Sequence, residues 1–191
     1  MKGEAETERE TSTLIHMRVR TLSLLLLALS CVVLRAESAA GVKWTAPAGW
    51  KSESARPMRA ATYTIAAASG DTMNAECGVY FFGAGQGGSV EANLERWAGQ
   101  FTSPGGTPAK PLIAKRQIHG LATTTIDVSG AYSGLGGPMA AGTHAVAGYR
   151  LLGAIVQAPG GNIFVKFAGP AKTIAANQPK FEQLLSSLQA D

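Results

Sequence analysis

The most constraining feature of the sequence is a series of short apolar segments separated by turns rich in glycine and proline. Residues 149–158 and 162–169 are two such segments, joined by a turn that contains Pro159 and two glycines. Residues 58–67 and 76–82 form a second pair. A short turn joins strands that run antiparallel. The pattern therefore predicts an antiparallel β-sheet, and the composition excludes collagen-like and coiled-coil folds.

Two further segments have the periodicity of amphipathic helices. Residues 89–101 place four apolar side chains on one helical face: Val90, Leu94, Trp97 and Phe101. Residues 179–188 repeat this pattern, with Pro179 in the first turn and an apolar face of Phe181, Leu184, Leu185 and Leu188. Helices combined with an antiparallel sheet predict an α+β fold, in which the helices cover the sheet. We expect one such domain, over residues 41–191.

The beginning of the chain has the composition of an export leader. Residues 17–20 contain two arginines, and residues 22–34 are apolar except for two serines. A basic start followed by a short apolar run and small residues is typical of a secretory signal. We therefore predict a signal peptide over residues 17–40, and an over-called translation start over residues 1–16. The protein would then be exported, either to the periplasm or out of the cell.

Small residues favour cleavage of this leader after Ala36 or after Ala40. Two alternatives stay open: an uncleaved leader that anchors the chain, and a lipoprotein anchored by lipid on Cys31. Membrane contact is expected only through these routes. If Cys31 leaves with the leader, Cys77 is the only cysteine of the mature chain, and an internal disulfide is impossible.

The glycine-rich segment after residue 82 has the spacing of a dinucleotide-binding loop, with Gly83, Gly85 and Gly88 in place. No acidic residue lies between Glu95 and Asp127 to hold a ribose, and the preceding strand belongs to a predicted hairpin. We therefore predict a simple connector and no cofactor. The net charge of +4 comes without a dense basic stretch, which argues against nucleic acid as a partner.

Catalytic and metal-binding signatures are also missing from the sequence. No pair of histidines or cysteines has the spacing of a metal site, and the usual serine-hydrolase motifs do not occur. We therefore predict a protein that is not an enzyme and holds no metal. One alternative is an envelope hydrolase in which His144 acts with Ser133 or Asp127.

Residues 130–148 form a long uncharged stretch with six glycines. A loop of this length inside a small domain is often functional, so we predict that it contacts a protein or small-molecule partner. Aromatic side chains favour the centres of interfaces. The candidate contact residues are Trp44, Trp50, Tyr132, Met139 and His144, although the two tryptophans could instead seal an edge of the core.

The order of elements resembles the PsbP/Mog1-like family of α/β/α sandwiches. The residues that carry the resemblance are the Trp-Thr-Ala-Pro-Ala-Gly-Trp segment at 44–50, the strand at 77–82, the helix around Trp97, the hairpin at 149–167 and the closing segment at 181–188. Members are mostly non-catalytic: accessory subunits of photosynthetic complexes, a small-GTPase-binding protein, or exported bacterial proteins and lipoproteins. The resemblance implies a non-enzymatic binding or accessory protein of the cell envelope.

Overall fold

The computed structural model describes residues 36–134 and 145–191. Within them, one antiparallel sheet contains eight strands: β3 (Lys51–Ser52), β4 (Arg59–Ile65), β5 (Ala75–Phe81), β6 (Phe101–Thr102), β7 (Leu112–Ile118), β8 (Leu121–Tyr132), β9 (Val146–Ala158) and β10 (Gly161–Pro170). The strand order is β3-β4-β5-β10-β9-β8-β6, and β7 also pairs with β8. A second sheet has the order β1-β2-β11, with β1 at Ala36–Ala39, β2 at Val42–Thr45 and β11 at Gln189–Ala190. The helices are α1 (Val90–Ala98) and α2 (Ala171–Ser186).

The large sheet separates two apolar clusters, because successive side chains of a strand point to opposite faces. Val165 and Phe167 of β10 pack with the α2 residues Ile174 and Leu184. Phe164 of the same strand packs on the other face, with Trp97 of α1 among its neighbours in the cluster. One helix therefore covers each face of the sheet. This arrangement confirms the predicted α+β fold of an antiparallel sheet covered by helices.

Helix α1 begins as the sequence predicts and ends earlier. The Ser89 side chain accepts a hydrogen bond from the Ala92 N–H at 3.1 Å, which satisfies one of the unpaired donors of the first turn. The helix ends at Ala98, and Phe101, which was predicted to be its last apolar residue, begins β6. Phe101 is still buried, and its side chain packs in the same apolar cluster as Leu94 and Trp97 of α1.

Helix α2 begins at Ala171, well before the predicted start at Pro179, which lies inside the helix. The prediction was wrong because the cap comes from a distant part of the chain. The Asp71 carboxylate, in the turn between β4 and β5, accepts hydrogen bonds from the backbone N–H and the hydroxyl of Thr173, at 2.9 and 2.6 Å. Thr173 and Ile174 are fully buried, so packing also holds this first turn in place.

Strands extend into two segments that the sequence predicted as a leader and as a loop. Strand β1 begins at Ala36, inside the range predicted for the signal peptide. The predicted loop 130–148 is strand at both ends, since β8 continues to Tyr132 and β9 begins at Val146. No helix within residues 36–134 and 145–191 has the length and apolarity needed to cross a membrane.

Candidate functional site

A lysine lies on the α1 face of the large sheet, beside the apolar cluster on that face. Lys166 of β10 lies opposite Gly78 of β5, and Gly78 lies opposite Thr62 of β4. Lys166 shares its face with Phe164, two residues earlier on the same strand. Its ammonium group is therefore on the side of the sheet that α1 covers, not in solvent beyond a strand end.

Three groups hold the Lys166 side chain. Its Nζ donates hydrogen bonds to Gln100 Oε1 at 2.8 Å and to the Tyr132 hydroxyl at 3.0 Å. The Nζ also lies 5.4 Å from the centre of the Tyr132 ring. That ring is in turn stacked between Phe101 and Tyr149, at centroid distances of 4.7 and 5.6 Å. The lysine is thus fixed by the second residue after α1 and by the end of β8.

The surroundings of Lys166 are unfavourable for its positive charge. Burial, followed by the charges of Arg96 and Arg59, lowers the pKa of Lys166 to about 8. Glu76 opposes this shift without cancelling it. Lys166 therefore keeps an ammonium group at neutral pH in a place where removal from water and like charges disfavour it.

The Glu76 carboxylate, which opposes the pKa shift of Lys166, is already shared by two guanidinium groups. Glu76 Oε1 accepts a hydrogen bond from Arg59 at 2.6 Å, and Glu76 Oε2 accepts one from Arg56 at 3.1 Å. Arg96 of α1 donates to the Asn93 amide oxygen. Lys166 and the three arginines thus make four cations against one carboxylate, which leaves an excess of positive charge.

Aromatic rings line the strand-β5 side of this charged group. The Arg59 guanidinium lies 5.0 Å from the centre of the Tyr80 ring, a cation–π arrangement. A Cβ on Gly78 would lie 2.7 Å from the Tyr80 ring, so glycine allows that ring to lie flat across the strand. Burial raises the pKa of Tyr80, and it raises the pKa of Tyr132 to about 12. Both phenols therefore stay neutral and remain hydrogen-bond donors.

We call this set of residues the Lys166 cluster: Arg56, Arg59, Glu76, Tyr80, Arg96, Gln100, Tyr132 and Lys166. It offers an ammonium group, guanidinium groups and phenolic hydroxyls to a ligand, against one carboxylate. Such donors bind negatively charged oxygens, as in carboxylates and phosphates. Within the described residues no three His, Cys, Asp or Glu side chains lie close enough together to hold a metal ion.

Tyr132 is the predicted contact residue that the structure brings into this cluster. Trp44 and Trp50 lie in the core instead, with 1% and 7% of their surfaces exposed. Their indole N–H groups donate within the protein, that of Trp44 to Tyr63 and that of Trp50 to Asn177. The two tryptophans thus occupy core positions, the alternative that the sequence left open. Met139 and His144 lie outside the described residues.

Asp127 and Ser133, from the predicted hydrolase alternative, lie apart in the fold, and His144 is outside the described residues. Both oxygens of Asp127 accept hydrogen bonds from Arg150, at 2.8 and 2.6 Å, so this carboxylate is engaged by a guanidinium. Ser133 donates its hydroxyl to the Gln100 carbonyl at 3.2 Å. Six residues of extended chain separate Asp127 from Ser133, which corresponds to roughly 20 Å. The structure therefore does not bring Asp127 and Ser133 together, and a pairing of His144 with either one stays a prediction.

Sequence reasoning missed Lys166, although a signal for it was present. Residues 163–168 read Ile-Phe-Val-Lys-Phe-Ala, and a lone lysine in such an apolar strand must have its charge accommodated by other elements. Periodicity shows that Lys166 shares a face with Phe164. The identity of the accommodating groups depends on the pairing of distant strands.

No protein-family model matches the sequence, and no curated protein matches it. A solved structure of a protein of unknown function from Pseudomonas aeruginosa is similar, with a TM-score of 0.49, 13% identity, and coverage of 82% of this chain and 96% of that chain. Cyanobacterial PsbP (CyanoP) from Synechocystis is also similar, with a TM-score of 0.48, 11% identity, and coverage of 85% and 95%. The second structure is of a PsbP protein, as in the resemblance described from the sequence, while the Mog1 part of that resemblance stays a prediction. At this level of similarity neither structure transfers a function to the chain.

Proposed function

We propose that this chain is an exported, non-enzymatic binding or accessory protein of the cell envelope, and that the Lys166 cluster holds an anionic group of its ligand or partner. The leader pattern at residues 17–40 supports the export part of the proposal. The binding part depends on one observation. The Lys166 ammonium group donates its described hydrogen bonds to two neutral groups, Gln100 Oε1 and the Tyr132 hydroxyl, and like charges lie near it.

This observation points to an anionic ligand because the protein groups around Lys166 leave its positive charge unbalanced. A methionine would fill similar space without a charge in this half-buried position. Residues that lower stability without an evident structural gain are expected at functional sites. A bound oxyanion would supply the negative charge that Glu76 alone does not provide, since Glu76 already pairs with Arg56 and Arg59. It would also return the pKa of Lys166 toward its ordinary value.

The test is calorimetric titration of the purified protein with inorganic phosphate and, separately, with acetate, at constant ionic strength. A carboxylate ligand predicts the stronger response to acetate, and a phosphoryl ligand predicts the stronger response to phosphate. We expect Lys166→Met to lower the affinity for the preferred probe by about tenfold or more. The reason is that a hydrogen bond to a charged group contributes about 1.5–3 kcal/mol. The matched control is Lys172→Met, since Lys172 is exposed on α2, on the opposite face of the sheet.

The pH dependence gives a second readout. Anions bind the protonated form of Lys166, so affinity should fall as pH rises above about 8, the pKa of this lysine in the free protein. The Lys166→Met variant should not show this fall. Equal affinity of wild type and Lys166→Met for both probes, or no binding of either probe to the wild type, would contradict the proposed site.

A further inference from the structure

Strand β1 is built from residues that the leader pattern includes. Ala36 to Ala39 pair antiparallel with β2, and Glu37 lies opposite Trp44. Strand β2 in turn pairs with β11 at the end of the chain. Strand β1 is therefore an edge strand of a sheet that also contains the C-terminal residues. A mature chain that lacked it would lose one of three strands.

Glu37 makes a contact that depends on β1. The Tyr63 hydroxyl donates a hydrogen bond to the Glu37 carboxylate, and the same hydroxyl accepts one from Trp44 Nε1 at 2.9 Å. Tyr63 is fully buried, and burial raises its pKa, so its hydroxyl proton is always present. A buried donor requires an acceptor. Glu37 is the acceptor that the described structure provides for this proton.

The turn after β1 is also seated in the fold. Ala40 and Gly41 have φ values of 55° and 73°, as required at both central residues of a type I′ hairpin turn. The Ala40 carbonyl accepts the Gly160 N–H at 2.9 Å, and a Cβ on Gly160 would lie 2.9 Å from the Ala40 backbone. Ala39 and Ala40 pack against the main core cluster. The turn after β1 thus packs against the turn that joins β9 and β10.

The two candidate cleavage positions therefore have different consequences for the fold. Cleavage after Ala40 would cut the turn and remove β1. It would also remove the Glu37 carboxylate, which accepts the hydrogen bond from the Tyr63 hydroxyl. Cleavage after Ala36 would keep Glu37, the turn and the contact with Gly160. Ala36 supplies the small residue directly before the bond, whereas the other position of the cleavage pattern holds Leu34; the composition alone thus favours Ala40, and the fold favours Ala36.

We infer that the leader is removed by hydrolysis of the Ala36–Glu37 peptide bond, so that the mature protein begins at Glu37. Water is the co-reactant: the carboxylate stays on Ala36, and the new amino group is that of Glu37. The inference rests on the proposed export. It adds that residues 37–40, although they resemble the end of a leader in composition, belong to the mature domain.

The test is expression of the full chain in a bacterium with an export pathway, followed by fractionation, intact-mass measurement and N-terminal sequencing. We expect exported protein that begins Glu-Ser-Ala-Ala. Exported protein that begins Gly-Val-Lys, or that carries lipid on Cys31, would overturn the cleavage position and leave export intact. Uncleaved protein confined to the cytoplasm would contradict the proposed export itself.

A pair of variants separates the two positions directly. Ala36→Gln places a large residue at the inferred site, and we expect loss of the product that begins at Glu37 in a pulse–chase experiment. Ala40→Gln is the matched control, because it alters the other candidate site in the same way, and we expect normal processing. Normal processing of Ala36→Gln together with a block in Ala40→Gln would overturn the inference.

Discussion

Replacing Lys166 with methionine should stabilise the folded protein at neutral pH. Methionine keeps an unbranched side chain and removes the charge. The fall of the Lys166 pKa from 10.5 to about 8 corresponds to roughly 3 kcal/mol of unfavourable free energy for the charged folded form. Against this, the variant loses the hydrogen bonds to Gln100 and Tyr132, each worth about 0.5–1.5 kcal/mol for the neutral amine, since the pKa shift already counts the effect of the charge. We expect a net gain of about 1 kcal/mol at pH 7.

The pH dependence of this effect has a definite sign. Below pH 8 Lys166 is protonated in both the folded and the unfolded chain, so the full penalty is present in the wild type. Between pH 8 and pH 10.5 the unfolded chain binds more protons than the folded one, and wild-type stability rises with pH relative to the variant. The advantage of Lys166→Met should therefore disappear in this window and reverse to a deficit of about 2 kcal/mol near pH 10.5.

The measurement is urea denaturation of the wild type, Lys166→Met and the exposed control Lys172→Met at pH 7 and at pH 10.5. The control should stay within about 0.5 kcal/mol of the wild type at both pH values. The charge argument is refuted if Lys166→Met is destabilised by the same amount at both pH values. Lys166 would then act through packing and hydrogen bonds alone.

Two substitutions and one labelling experiment test the contacts and burial of side chains in the large sheet. Gly153→Ala should destabilise the fold by about 1–3 kcal/mol in thermal melts, because the added Cβ would lie 2.6 Å from the Trp97 ring; an unchanged melting temperature would contradict this packing. Cys77 is fully buried, and burial raises its pKa, so peptide mapping should find it unalkylated by iodoacetamide until the protein unfolds. Asp127→Asn should cost about 1–3 kcal/mol in urea denaturation, since Arg150 would lose its charged acceptor; equal stability would mean that the pair is replaceable.

The hairpins of the sheet were predictable because their determinants are local. The segments predicted at 149–158 and 162–169 correspond to β9 (Val146–Ala158) and β10 (Gly161–Pro170). Alternating apolar residues and a glycine-containing turn define such a pair without reference to the rest of the chain. The amphipathic pattern near Trp97 predicted α1 for the same reason.

The start of α2 was not predictable in this way. Its first turn is capped by Asp71, which lies 102 residues earlier than Thr173. A local reading of the sequence sees Pro179 as a helix start, because proline is favoured in a first turn. The tertiary contact lengthens the helix, and burial of Ile174 maintains it.

By itself, the sequence determined the class of fold, the antiparallel pairing of neighbouring strands and the presence of a lysine in an apolar strand. Only the tertiary structure decided that Lys166 meets Gln100, Tyr132 and Arg96, and that Glu37 belongs to the folded domain. The physical reason is the range of the interactions. Side-chain alternation and turn preferences act over a few residues, whereas the charge environment of a buried group depends on every element packed against it.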